Sequence, residues 1–260
     1  MKVKFSNSLY KDHSSLDDLL NMRSSDIYLG SLLFIFYLKK IKHGPSSSVI
    51  QRHLETAQKS RVLQLRNCGM KILPEQLQEV GIFLRHHSIS SNHWIISIQF
   101  KLLMSLKLEV LDLSCNQLNS LPESLAGLCS LKTLNISKNK FVHLPVCVCH
   151  LSELNILDAS SNLIEFLPDE VKFLKTSELN LNQNRLNSLN ATNLVHCEAL
   201  RTLRVEENCL NKTDFISDFL SNSNVSLIAY AGNLFQDKDF QNLPGYEEYQ
   251  NRYTATKRKM

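Results

Sequence analysis

The 260-residue chain is 43% hydrophobic with a formal net charge of +4, enough apolar content for one long core but no charge excess of the kind that holds nucleic acid. Its seven glycines are spread too widely to write a phosphate-binding loop or a dinucleotide fingerprint, which argues against catalysis on phosphoryl groups. The seven cysteines are scattered rather than clustered at the ends, the usage expected of reduced thiols in an intracellular protein.

Residues 1–50 follow no repeat. A polar, mixed-charge lead, Lys2 to Asp26, runs into the apolar segment Ile27–Leu38, which ends at Lys39, Lys40 and Lys42. A membrane-spanning helix needs about 20 apolar residues, so this run reads instead as a hydrophobic flap, a peripheral anchor or a segment outside the working protein. The long lead with its acidic residues is wrong for a secretory signal. Gly44, Pro45 and the serines after them make 43–48 a linker. Residues 51–61 then predict a short amphipathic helix with Leu54 and Ala57 on one face. It is expected to cover the edge of the first strand, since an uncovered edge templates aggregation.

From 62 to 236 the chain repeats itself, most clearly at its centre. Leu108, Leu111, Leu113, Asn116, Leu118, Leu121 and Pro122 recur 23 residues on as Leu131, Leu134, Ile136, Asn139, Phe141, Leu144 and Pro145. A further 23 residues on stand Leu154, Leu157, Ala159, Asn162, Ile164, Leu167 and Pro168. The L-x-L step has period two, so both leucines of a short strand face one side, the core, and the residue between them faces the other. The turn after each strand buries backbone groups that no strand partner satisfies. An inward Asn carboxamide carries the donors and acceptors to do so, which predicts a ladder of Cys68, Asn92, Asn116, Asn139, Asn162, Asn184, Asn208 and Asn233, one rung for each of eight units. The Leu-Pro pair predicts an extended or turn-like outer segment, because Pro lacks an N–H and restricts the residue before it.

The second unit is worn. Leu84, Ile89, Asn92 and Trp94 fit it, but His87 and Ser97 stand where leucines belong. Near the C-terminus, Asp214–Leu220 places Phe215, Ile216, Phe219 and Leu220 on one helical stripe. Residues 237–260 carry Tyr246, Tyr249 and Tyr253 at the spacing of a helix face, read as a cap on the last coil or, more sharply, as an aromatic docking helix. Lys257, Arg258 and Lys259 form a solvated basic end.

No catalytic, metal or cofactor site is expected. Cys147, Cys149 and His150 bracket the core residue Val148 on the outer side without a second ligand pair to complete a tetrahedron. The Asn-x-Ser/Thr sequons at Asn135, Asn190, Asn211 and Asn224 read as chance matches in an Asn-rich chain. What remains is a surface. The outward strand residues Gln64, Ser88, Asp112, Asn135, Asp158, Asn180, Arg204 and Ala229 run down the inner face, flanked by Arg66, Ser90, Ser114, Ser137, Ser160, Asn182 and Glu206, with Glu178 and Glu207 beside the later coils. This polar strip, acidic at its middle and mixed near Arg204, is the candidate binding face for a folded protein partner. Gln64, Arg66, Asp112, Asn135, Asp158, Glu178, Asn180, Arg204 and Glu206 are its candidate contact residues.

The pattern L-x-x-L-x-L-x-x-N-x-L at a period of 20 to 29 residues resembles the leucine-rich repeat, and the 23-residue Leu-Pro units are similar to those of intracellular leucine-rich repeat proteins that act as adaptors and scaffolds. The resemblance implies an α/β solenoid: a horseshoe with a curved parallel sheet on its concave face and helical caps at both ends. It also implies a monomeric, non-enzymatic, cytoplasmic protein, in reach of peripheral membrane association. Alternatives are a regulatory subunit of a small GTPase or phosphatase, and a membrane-anchored receptor-like protein. Related proteins begin just ahead of the helix corresponding to 51–61 with Met-Gly-Asn-Ser, a start suited to N-myristoylation. Here Lys2 follows Met1 and the equivalent place is internal, around Pro45–Ser48, so the lipid anchor is not carried over.

Overall fold

The computed structural model describes residues 52–53, 56–57, 59–71 and 107–258. The run Ile27–Leu38, Leu54 and the expected second unit with His86, His87, Ser88 and Asn92 lie outside the described residues. Seven three-residue strands form one parallel sheet in chain order: β1 (Val62–Gln64), β2 (Val110–Asp112), β3 (Thr133–Asn135), β4 (Ile156–Asp158), β5 (Glu178–Asn180), β6 (Thr202–Arg204) and β7 (Leu227–Ala229). The register is uniform. Leu63, Leu111, Leu134, Leu157, Leu179, Leu203 and Ile228 lie side by side as partners, each pointing into the core and at most 6% exposed. This is the solenoid expected from the repeat, with a core that extends by stacking.

β1 and β2 are hydrogen-bonded neighbours, Leu63 opposite Leu111. The ladder agrees, for the Asn116 carboxamide oxygen accepts directly from the Cys68 and Met70 amides (2.9 and 3.1 Å) and its nitrogen donates to the Leu65 carbonyl (2.8 Å).

Each remaining rung repeats one pattern. The Asn162 oxygen accepts from the Phe141 amide (3.2 Å), while its nitrogen serves the carbonyls of Ile136, Ala159 and Ser160 at 3.1–3.2 Å. Asn139, Asn184 and Asn208 do the same one coil before and in the two after, and Asn233 closes the row against Leu210, Val205 and Tyr230. Cys68, in the first described coil, bonds only weakly from its thiol to the Arg66 carbonyl (3.5 Å). The residue before each rung is left-handed. Asn67, Cys115, Lys138, Ser161, Gln183 and Glu207 have φ between 54° and 58°, and Gly232 has 77°. This costs a non-glycine residue about 1–2 kcal/mol, but it turns each N–H onto the next coil, as Cys115 onto the Ser137 carbonyl (3.0 Å) and Gln183 onto that of Glu206 (2.8 Å).

On the outer side the chain returns through single turns: 3-10 segments at Glu123–Gly127 and Asp169–Phe173 and short α-helices at Val146–Cys149 and Ala191–Leu194. Three of them start directly after Pro122, Pro145 and Pro168, whose fixed φ near −65° sets the entry without an N–H to satisfy. At the N-terminal end the described residues between 52 and 60 are helical, with Ala57 fully buried and the Arg61 amide bonded to its carbonyl at 2.9 Å.

At the other end the expected single stripe over Asp214–Leu220 is two elements. A 3-10 turn, Lys212–Asp214, is capped by Asn211 and Asp214 reciprocally, and an α-helix, Ser217–Asn222, begins after Ile216. The capping box fixes the start of the first turn, and Phe215 after it drops between the two elements into the core at 1% exposure. Helices Asp237–Gln241 and Tyr246–Lys257 then fold over β7. The Tyr249 hydroxyl accepts the Ile228 amide at 3.1 Å, an N–H of the last strand of the sheet. Phe240 is fully buried and rings Phe215, Tyr230, Tyr246 and Tyr249 with centroids 4.2–5.9 Å away.

Candidate partner-binding face

Because the middle residue of each strand faces inward, the residues on either side of it face out, and those outward residues form ordered rows. One row is Gln64, Asp112, Asn135, Asp158, Asn180, Arg204 and Ala229, adjacent by strand register. Beyond it lie Arg66, Ser114, Ser137, Ser160, Asn182 and Glu206, where the strands run into their turns. The structure therefore brings all nine candidate contact residues onto one sheet face. Gln64 and Arg66 are exposed, and the remainder are half-buried between neighbours.

Four of these side chains also serve the backbone. One oxygen of Asp112, Asn135, Asp158 and Asn180 accepts the amide two residues on, from Ser114, Ser137, Ser160 and Asn182, at 2.9–3.1 Å. A short acceptor two residues ahead of an amide holds the strand exit in shape. Where Arg204 cannot do this, the Asn182 oxygen from the preceding coil accepts the Glu206 amide instead (2.9 Å). The repeated Asx-x-Ser/Asn spacing is legible in the sequence, but there it reads only as a run of polar outward side chains.

Charge on this face is partly self-compensated. Glu178 and Arg204 pair at 3.1 Å, each a little under two-fifths exposed, so they neutralise one another more than they advertise charge. At the strand entries Glu109 bridges Arg61 (2.7 Å) and Lys132 (2.9 Å), and the hydrogen bonds from Lys132 and then Arg61 hold its carboxyl below the usual range. Over β5 to β7 the surface dips into a cleft of about 400 Å³ lined by Asn180, Asn182, Gln183, Glu206, Glu207 and Gly232 among others. The Asn182 and Gln183 amides donate to the Glu206 and Glu207 carboxylates at 2.7 and 3.0 Å. Both acids are thereby oriented, and among the described residues no basic side chain lines the cleft. Gln183 was not anticipated, because its role follows from the left-handed turn before the rung. Nor was the third outward row, Val110, Thr133, Ile156 and Leu227, which lays apolar surface beside the polar strip; Ile156 is 37% exposed.

The other chemistry-bearing residues are structural. All seven cysteines are free. Cys147 and Cys149 are buried in the core rather than turned outward around Val148, and desolvation pushes both thiols up to about 12. The Cys197 thiol, pushed to about 11 by the same cause, donates to the Val171 carbonyl at 3.1 Å. Among the described residues no three His, Cys, Asp or Glu side chains gather as a metal site. Asn135 lies in β3. Asn190 is left-handed at φ 50° and donates to the Leu167 carbonyl (3.1 Å) and Asp169 carboxylate (3.2 Å), a brace that its sequence context does not betray.

A family model described as Leucine rich repeat matches residues 85–141 and 106–164. The match covers the units that carry β2, β3 and β4 and reaches back into the worn unit before them.

Proposed function

We propose that this leucine-rich repeat protein is a non-catalytic scaffold or adaptor in intracellular signalling that holds a protein partner on the concave face of its sheet. Leucine-rich repeats are in general protein-interaction modules, and a stacked sheet of this kind presents an extended, preorganised surface. The observation that carries the reading is the cleft over β5 to β7, where amide donors orient Glu206 and Glu207 and no basic side chain lines it among the described residues. A partner that brings a Lys or Arg side chain there gains charge matching and a fixed register. The seven free cysteines are in keeping with a reducing, cytoplasmic setting. A closer kinship, also proposed, is with leucine-rich repeat-containing protein 57. The stretches 53–60, 179–186, 204–210, 231–235 and 245–259 resemble that protein, and the resemblance spans about Gln51 to Met260.

The test needs two kinds of variant, because Asp112 and Asp158 also hold the backbone. Asp158→Asn removes charge but keeps the acceptor for Ser160, whereas Glu206→Lys reverses charge in the cleft. With a partner isolated from cytosol on the full chain and then purified, Glu206→Lys is expected to weaken binding at least about tenfold, a cost of about 1.4 kcal/mol, and Asp158→Asn less. Affinity unchanged in both variants would move the site off this face. Stoichiometric recovery of a GTPase or phosphatase would turn the scaffold into a regulatory subunit.

A further inference from the structure

The inner sheet face carries a second regularity, which runs along the stack of coils. β2 sets Val110 and Asp112 outward, and β4 sets Ile156 and Asp158 in the same two places, with Thr133 and Asn135 of β3 between them by register. An apolar side chain beside a carboxylate thus recurs on every second strand here, a step of about 10 Å. A further two strands on, at β6, the chain leads Glu206 into the cleft, while Glu178 and Arg204 between neutralise each other. Each of the three acids has one oxygen committed within the fold. Asp112 and Asp158 accept the Ser114 and Ser160 amides at 2.9 and 3.0 Å, and Glu206 accepts the Asn182 side-chain amide at 2.7 Å. Among the described residues none of the three forms a salt bridge.

We propose that the partner element this face takes is a basic α-helix laid along the stack. A Lys or Arg at every seventh residue meets Asp112, Asp158 and Glu206 in turn, and apolar residues between them rest on Val110 and Ile156. The inference rests on the reading of the inner sheet face as the binding site, and adds the chemistry and shape of what binds. The period fits, because seven residues of helix rise about 10.5 Å, so three such cations span about 21 Å against about 19 Å from β2 to β6. The width fits as well. A helix with its side chains is about 10–12 Å across, and the two outward rows lie about 6–7 Å apart along each strand. An extended strand does not fit, since its residues about 10 Å apart are three positions apart and point to opposite faces. Charge matching selects a basic helix, and the two-strand period selects which basic helices.

The test titrates the full chain, by fluorescence anisotropy, with synthetic peptides of about five helical turns held helical by a lactam on the far side. One carries three lysines seven apart with a leucine three residues after each. A second has the same composition with the lysines five apart, which turns them to different sides of the helix, and a third is proline-rich with a lysine at every third residue. The seven-spaced peptide is expected to bind at least about tenfold tighter than either control. Asp112→Asn and Asp158→Asn, which keep an oxygen for the Ser114 and Ser160 amides, should each weaken it about threefold, the worth of one partly exposed ion pair. Replacing the middle lysine by Gln should abolish the effect of Asp158→Asn and leave that of Asp112→Asn. Equal binding of the three peptides, tighter binding of a control, or no coupling between the middle lysine and Asp158 would each overturn the proposal. No binding of any peptide would overturn it too, and the response of the purified partner to Glu206→Lys decides separately whether the face binds at all.

Discussion

At the scale of single residues, the Asn rungs do more for this protein than their small size suggests. Asn162 satisfies one amide and three carbonyls drawn from two coils, and an orphaned buried polar group costs about 1–3 kcal/mol. Asn162→Ala should therefore lose about 3 kcal/mol of stability, read as a shift of the urea midpoint. Loss under about 0.5 kcal/mol would mean that water replaces the carboxamide. The buried thiols set a pH limit. Cys147 and Cys149 titrate near 12 in the fold against 9.0 when unperturbed, so both folded and unfolded chains keep the proton below about pH 9. Above it the unfolded chain ionises first, and stability present at lower pH is lost as pH rises toward 12. Urea midpoints should fall between about pH 8 and about pH 10.5, and less steeply in a Cys147→Ala, Cys149→Ala double variant. In the native state exposed Cys129 and Cys209 should react with a thiol reagent well before this buried pair.

The elements of this protein are too short to stand alone: three-residue strands and outer helices of one turn gain stability only from the coils beside them. The exception is the last helix, Tyr246–Lys257, and its seating is exacting. Gly245 before it is left-handed at φ 89°, and a Cβ there would lie 2.6 Å from the Ser221 hydroxyl and 2.8 Å from the Ser217 carbonyl. Gly245→Ala should displace the cap and cost about 2–4 kcal/mol by strain and clash together. Arg252 is the helix's second anchor, donating to the Val225 and Ser221 carbonyls at 3.2 and 2.9 Å and to that of Leu220. Tyr249→Phe removes the acceptor of the Ile228 amide alone, about 1–3 kcal/mol for a buried N–H left unpaired. Thermal melts that order the three as Gly245→Ala and Arg252→Ala below Tyr249→Phe would match this packing.

In the whole molecule each coil touches chiefly its neighbours, so damage should spread by distance along the stack rather than uniformly. Hydrogen exchange of the Tyr249→Phe variant is expected to quicken most at β7, less at β6 and hardly at β2 and β3. Uniform loss of protection would show the solenoid to be one cooperative unit.

The repeat by itself determined the solenoid, the inward leucines, the Asn rungs and the rows of outward polar side chains. Each of these follows from a local period and a chemical need that recur in every unit. The helical tyrosines were legible for the same reason, since Tyr246, Tyr249 and Tyr253 share one stripe. Tertiary structure decided what depends on a neighbour. It paired β1 with β2, joined Glu178 to Arg204 across two strands, and turned Cys147 and Cys149 inward. It also set an Arg252 fork on the carbonyls of another helix. None of these is written in a period, because hydrogen bonds and ion pairs between coils depend on which coils stack, and stacking is settled by burial over the whole core.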